Sequence, residues 1–451
     1  MSVKAEITSC VEQPRIACAI GGIYTALAID RVLPILHAGP GCQGQAGATL
    51  AGANGGQNAD TYLESVIPST NFSESDVVFG AAERLSHVVE ESLKYYDADM
   101  FIVSDGCVSQ IVGDDIEEVV RTFEGREKPV LHASLPGFKG NNLFGHSEIL
   151  KAIVEQYLTK SDHVNEKQVN VWGIVPFYDT FWVATLEKLE ALLTELGFEP
   201  NIIYGHGKGL KAVDKIPSAG FNLLISPWVD LDIVKLLEEK FDTPYFHYPN
   251  IPIGPTQTAD FVRKLVKYAN LDEVGAERII KREEDRYYYY LNHSIKFIFT
   301  CRVTPREFYI NSSASQALAL TKYLINDLGM TPRKIFISEG VPEELQEEVR
   351  SYFNDVQHER PEDLEVIFTN DGGLCDTYVK SEDTTFRKTA VFGTTWDELT
   401  AKNLKLPFVP VSAPAGDLMV GVKTYFAWEG AINLAADLYN DAANKGLGTV
   451  S

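Results

Sequence analysis

The chain has 451 residues, 45% of them apolar and 23% charged, with a formal net charge of −23 at pH 7. That length predicts two or three domains with ample material for a buried core. The acidic balance argues against a broad nucleic-acid surface, which needs clustered Lys and Arg. The opening MSVKAEITSC lacks a basic stretch followed by an apolar run, and no uninterrupted apolar run approaches about 18 residues, so a cytoplasmic protein with no membrane span is expected. The 6 cysteines are too sparse for a disulfide framework, and metal binding or catalysis explains those on glycine-rich turns better.

Taken in order, the chain alternates between short apolar runs and segments of helical period. Cys18 and Cys42 bracket an apolar segment containing Gly21, Gly22, Gly39 and Gly41. Within it, VLPILHAG (32–39) predicts a buried strand running into a loop. A helix is predicted over 77–97, a strand over ADMFIVSDG (98–106) with Cys107 just beyond it, a helix over 113–125 and a strand over KPVLHASLPG (128–137). The charged LTKSDHVNEK (158–167) reads as a linker. A second unit repeats the pattern: strand 168–176, helix 179–197, strands at 199–205 and 221–227, a helix through LLEEKF, then TPYFHYPNIPIG. The segment 256–300 is mostly helical and carries the tyrosine run 287–290. A third unit begins near 301 with a helix through SQALALTKYLINDLG, followed by strand-like 333–340, 364–373 and 406–416 and an amphipathic helix over 425–444. The fold class expected is α/β: three Rossmann-like units (1–165, 166–300 and 301–451), each a parallel sheet flanked by helices with functional loops at the strands' carboxyl ends.

Thiolates at turn and cap positions, with small residues beside them, suit an iron–sulfur cluster. Cys18, Cys42 and Cys107 therefore form half of a candidate cluster site. His37 can hydrogen-bond near it or serve as a satisfied loop histidine. Asp114 and Asp115 read as helix N-terminal caps rather than metal ligands, and the four glycines as permitting tight turns and close approach. Cys10 can be an extra ligand or a free thiol, while Cys301 and Cys375 lie in strand-to-loop contexts as core residues. GHGKG (205–209) lacks the spacing and the Ser/Thr of a phosphate loop.

The pieces CAIGGIYTALAID…LPILHAGPGC (18–42), STNFSESDVVFGAAERL (69–85), SDGCVSQIVGDD (104–115) and SAPAGDLMVGVKTYFAWEGAINLAADLY (412–439) resemble the nitrogenase component 1 superfamily along essentially the whole chain. That superfamily includes nitrogenase subunits, nitrogenase-like reductases such as methylthio-alkane reductase, cofactor-assembly scaffolds and tetrapyrrole reductases. The resemblance implies the component 1 fold, and Cys18, Cys42 and Cys107 as ligands of an interfacial [8Fe–7S] P-cluster, with [4Fe–4S] as the alternative. It implies an α-type partner in an α2β2 heterotetramer, and an ATP-driven Fe protein carrying its own [4Fe–4S] cluster. The cofactor cysteine of α-type chains aligns with Val234, and their cofactor histidine falls near Asp417. Neither side chain replaces those ligands, so the chain resembles a β-type, electron-relaying subunit. The serine that ligates the oxidised cluster in many β-subunits aligns with Gly137, and Ser134 lies three residues earlier. Gly41 and Gly137 are expected beside the cluster, with no catalytic residue in this chain. These departures favour an alternative or nitrogenase-like reductase.

Overall fold

The computed structural model describes residues 17–45, 67–301, 305–356, 364–382, 389–416 and 418–445; Cys10, Asp417 and the Cys301 side chain lie outside what is described. Three separate parallel sheets follow one another along the chain. The first comprises β1 (Val32–His37), β2 (Met100–Asp105) and β3 (Val130–Ser134) in that spatial order. Val32 pairs with Met100 through to His37 with Asp105, and Phe101 with Val130 through to Asp105 with Ser134. Every residue of β1 and β2 is buried, which is why both read as unbroken apolar runs: a parallel strand is covered on both faces. Leu33, Ile35, Phe101 and Val103 pack with Leu85 and Val89 of the helix Ala82–Tyr95. Val32, Leu36 and Ile102 belong to the opposite core, with Ile23, Ala26, Ile149 and Leu150 from the helices Ile23–Ala28 and Asn142–Ala152.

The second sheet holds β4 (Asn165–Trp172), β5 (Glu199–Asn201), β6 (Ala219–Leu224) and β7 (Tyr245–His247) in the order β5-β4-β6-β7. The third holds β8 (Glu307–Ser312), β9 (Thr331–Ile337), β10 (Val366–Phe368), β11 (Thr389–Gly393) and β12 (Phe408–Pro410) in the order β10-β9-β8-β11-β12. Buried polar links join the three. Thr25 Oγ1 lies 2.7 Å from His146 Nδ1, His146 Nε2 lies 2.9 Å from Asp230 Oδ1, and Gly173 N donates to Asp230 Oδ2 at 2.8 Å. Two residues earlier in the chain, Trp228 Nε1 donates to Glu339 Oε1 at 2.7 Å, which also accepts from Ala314 N at 2.8 Å.

Several elements differ from the sequence reading. The helix expected over 77–97 is two helices, Glu74–Phe79 and Ala82–Tyr95, because Gly80 turns left-handed (φ 84°) between them. The central strand of the third sheet, β8, lies just ahead of the helix expected through SQALALTKYLINDLG, where no element was expected; its apolar core is just Phe308–Ile310 before polar Asn311 and Ser312, too short to show a period. The linker's last residues already belong to β4. Cys375 is buried as expected, but in the helix Gly373–Ser381 rather than at a strand end. Of the tyrosine run, Tyr287 is buried with its hydroxyl 3.1 Å from that of Tyr323, while Tyr288, Tyr289 and Tyr290 are exposed.

Beneath β8, burial lifts the Asp397 carboxyl to about 6 against hydrogen bonds from Thr394 and Asn311, with the nearby Asp376 charge adding to the lift. A carboxyl raised above its unfolded value of about 3.9 stabilises the fold fully below that pH and loses the contribution as pH rises through the folded value. Wild-type protein is therefore expected to lose stability relative to Asp397→Asn between about pH 4 and 6, read as parallel chemical-denaturation midpoints across that window. A constant difference between the two would contradict the assignment.

Candidate metal centre

The first sheet delivers three pieces of one site from the carboxyl ends of its strands. After β1 the chain passes Ala38 and Gly39 into a helical turn at 40–45 that carries Cys42, whose N–H donates to the Gly39 carbonyl at 3.1 Å. After β2, Gly106 precedes the helix Cys107–Val112, so Cys107 is its first residue. After β3 comes Gly137. Cys18 arrives differently: it is extended (φ −64°, ψ 153°) ahead of the short turn Ala19–Gly22 and bridges Asn141. Ala17 N donates to Asn142 Oδ1 and Asn142 N to the Ala17 carbonyl, both at 2.9 Å. Asn141 also caps its own helix, accepting from Leu143 N and Phe144 N at 3.0 and 3.1 Å.

The three sulfurs converge. A Cβ placed on Gly137 would lie 2.6 Å from Cys18 Sγ and 3.6 Å from Cys107 Sγ, and Gly137 N donates to Cys107 Sγ at 3.1 Å. A Cβ on Gly106 would lie 3.9 Å from Cys42 Sγ. Burial pushes the Cys42 thiol up, the charges of Cys18 and Cys107 push it further, and a hydrogen bond from Gly39 partly opposes them. Cys18 is exposed, and Cys42 and Cys107 are half-buried, so the group opens to the surface. Beside it, an open cleft of about 720 Å³ runs from Cys18, Gly137 and Asn141 to Gly340, Gln346 and Thr369 of the third unit. Exposed apolar side chains stand on the segments next to the cysteines. Phe138 (61% exposed) follows Gly137, Ile111 (76%) lies one turn after Cys107, and Phe79 (86%) ends the helix packed against Cys107–Val112.

Among the described residues no group of three or more His, Cys, Asp or Glu is arranged to hold a metal ion. Three soft donors spread around a surface opening, with a backbone N–H aimed at one sulfur, fit a polynuclear iron–sulfur group better than a lone cation.

The crowding at Gly137 bears on the missing serine. Any side chain there meets Cys18 Sγ, so a hydroxyl at that position and this placement of Cys18 exclude one another. Ser134 is no substitute, because its hydroxyl points to Asp105 Oδ2 at 3.4 Å. Gly137→Ala is accordingly expected to displace Cys18 and reduce the iron retained per chain, measured by metal analysis after desalting; retention at the wild-type level would contradict the crowding.

Other expected site residues fall as follows. A Cβ on Gly39 or Gly41 would meet no atom within 4 Å, so packing within the described chain does not require glycine there. Gly21 and Gly22 serve a helix contact rather than the thiols: Cβ atoms there would lie 2.9 Å from Asn142 Cβ and 2.4 Å from the Gly145 carbonyl. Asp115 caps its helix by accepting from Glu118 N at 2.9 Å, as expected. Asp114 is no cap. Its side chain is only 5% exposed, with Oδ2 3.1 Å from His37 Nε2, and both its oxygens accept from Ala81 N at 3.0 and 3.2 Å. Val234 is a fully buried core residue. GHGKG straps the second unit to the first, Lys208 O accepting from Asp30 N at 3.0 Å and Lys208 Nζ meeting Glu190.

Residues 17–443 match the family of nitrogenase component 1 type oxidoreductases, and the chain belongs to that family. Among its relatives, a light-independent protochlorophyllide reductase component of Angiopteris evecta is 23% identical over 392 residues, 80% of this chain and 70% of that one. The corresponding component of Leptolyngbya boryana is 25% identical over 358 residues, 76% of this chain and 66% of its own length, so the chain spans about two thirds of these relatives. The solved structure of nitrogenase Cp1 at pH 6.5 shares the fold with a TM-score of 0.81 at 18% identity, over 98% of this chain and 95% of that one. The expected α/β component 1 fold is thus the one observed.

Proposed function

We propose that this chain is the β-type half of a nitrogenase-like component 1 reductase. In this reading Cys18, Cys42 and Cys107 hold an iron–sulfur cluster at the interface with an α-type partner, [8Fe–7S] in the first instance and [4Fe–4S] as the alternative. Such a cluster, when bound, supplies one-electron storage and release at a potential set by its ligands, its burial and its hydrogen bonds. This chain's part is to bind and to tune. Three sulfurs come from separately anchored segments, Gly137 N–H donates toward one of them, and Phe79, Ile111 and Phe138 offer apolar area for a partner to cover and so exclude water. Electrons come from an ATP-dependent Fe protein, and the bond chemistry belongs to the α partner, which reduces dinitrogen or another small molecule such as a methylthio-alkane.

The observation that carries the reading is the convergence of the three sulfurs at an open surface. The burial of Val234 supports a chain without its own substrate cofactor. A second reading, one half of a tetrapyrrole reductase, is favoured by the relatives that carry the name of light-independent protochlorophyllide reductase.

The test is anaerobic co-purification with the α partner, iron and sulfide analysis, EPR in reduced and oxidised states, and turnover with the Fe protein on acetylene, methylthioethanol and protochlorophyllide. About eight irons per αβ pair with turnover of either small substrate supports the first reading. A four-iron signal with protochlorophyllide turnover supports the second. Clusters without turnover of any substrate would indicate an assembly scaffold, and absence of iron from the anaerobic complex would overturn all three.

A further inference from the structure

We infer that His37 and Asp114 form a positioning pair that sets the spacing between the Cys42 loop and the Cys107 helix. The inference rests on the reading of the three thiols as cluster ligands. Helix capping, which the sequence pattern suggests for Asp114 and Asp115 together, falls to Asp115 alone. Asp114 instead joins three separate segments. It stands on the turn following Cys107–Val112, its Oδ2 is 3.1 Å from His37 Nε2 at the end of β1, and it accepts from Ala81 N between the helices Glu74–Phe79 and Ala82–Tyr95.

His37 is bound to the Cys107 side twice more through its own backbone. Its carbonyl accepts from Gly106 N at 3.1 Å and from Ser109 Oγ at 2.9 Å. The next residue, Ala38, touches Gly106 so closely that a Cβ there would lie 3.0 Å from Ala38 Cβ. Phe72 closes over the imidazole, ring centres 4.9 Å apart, and Phe72 N donates to the Ala38 carbonyl at 3.2 Å. The loop that carries Cys42 therefore leaves β1 from a residue clamped on both sides to the segment that carries Cys107.

Histidine is a poor choice for stability alone. The side chain is fully buried, and its Nδ1 has no hydrogen-bond partner among the described residues. An unsatisfied buried polar atom is costly, and a leucine would avoid that cost. What an apolar residue cannot supply is the directional link from Nε2 to Asp114. With Nε2 donating to the carboxylate, Nδ1 is the unprotonated nitrogen and the ring orientation is fixed.

The test uses the anaerobic complex with its partner, in wild type, Asp114→Ala, His37→Leu, the double variant, and His37→Gln, whose amide can still donate to Asp114. Each is assayed for iron per complex, EPR line shape, cluster midpoint potential and thermal midpoint. Both single variants are expected to lose a large part of the iron, to change the line shape of what remains and to shift its potential. The double variant should look like either single one, since both break one link, and His37→Gln should restore the wild-type signals. Wild-type line shape and potential in both single variants, even with a lowered thermal midpoint, would make the pair ordinary core structure and overturn the inference. Wild-type complex without iron would overturn the cluster reading itself, a distinct outcome.

Discussion

Replacing Cys42 with alanine is expected to leave a folded chain that pairs with its partner and delivers no electrons. The side chain is small and half-buried, so its loss costs the fold on the order of 1 kcal/mol. Its loss to the site is of another kind. Cys42 alone comes from the end of β1, whereas Cys107 and Cys18 meet at Gly137; without Cys42 the proposed cluster would lose one of its three ligands from this chain. Iron per complex, the EPR signal and Fe-protein-dependent turnover should fall together, turnover by at least about tenfold, equivalent to about 1.4 kcal/mol in the barrier. Unchanged turnover in a complex of normal stability would remove Cys42 from electron delivery.

The largest effect on stability is expected from Gly145→Ala. A Cβ there would lie 2.0 Å from the Ala19 carbonyl oxygen and 2.8 Å from Gly22 N, and the reciprocal Cβ on Gly22 would lie 2.4 Å from the Gly145 carbonyl. All of these are backbone atoms, so no side-chain rotation relieves the contact. The helix Asn142–Ala152 has to retreat from the segment 19–28, and Asn141 and Asn142 at its start hold Ala17 and Cys18 in place. Overpacking of this sort typically costs about 1–3 kcal/mol, and a backbone-to-backbone clash belongs at or above about 3 kcal/mol. A lowered denaturation midpoint should be accompanied by iron loss, although no cysteine has been touched. Wild-type stability would show that the two segments can separate freely.

The sequence made parts of this visible because particular residues carry strong local signals. Cys42 and Cys107 follow strand ends and Cys18 opens a glycine-rich turn, and buried parallel strands such as VLPILH and MFIVSD read as unbroken apolar runs. Other parts depend on contacts between residues far apart in the chain. Gly145 resembles any glycine inside a helix until Ala19 and Gly22 are laid across it. Asp114 and Asp115 are indistinguishable as letters, and only the fold turns one inward to His37 and Ala81 while the other caps a helix. The strand β8 has three apolar residues, too few for a period, and owes its central place to its neighbours β9 and β11. The break at Gly80 has a visible sign in the sequence, a glycine inside a helical pattern.

The polar links running from Thr25 through His146 to Asp230, and from Trp228 to Glu339, have a mechanical consequence. Swinging one sheet away from the next would break these inter-sheet hydrogen bonds, which are stronger in the low-dielectric interior than at an exposed surface. The three sheets therefore behave as a single anvil rather than as jaws. In the proposed complex, opening and shutting would fall to the seams with other chains, and a displacement at the thiol face is carried by the whole chain.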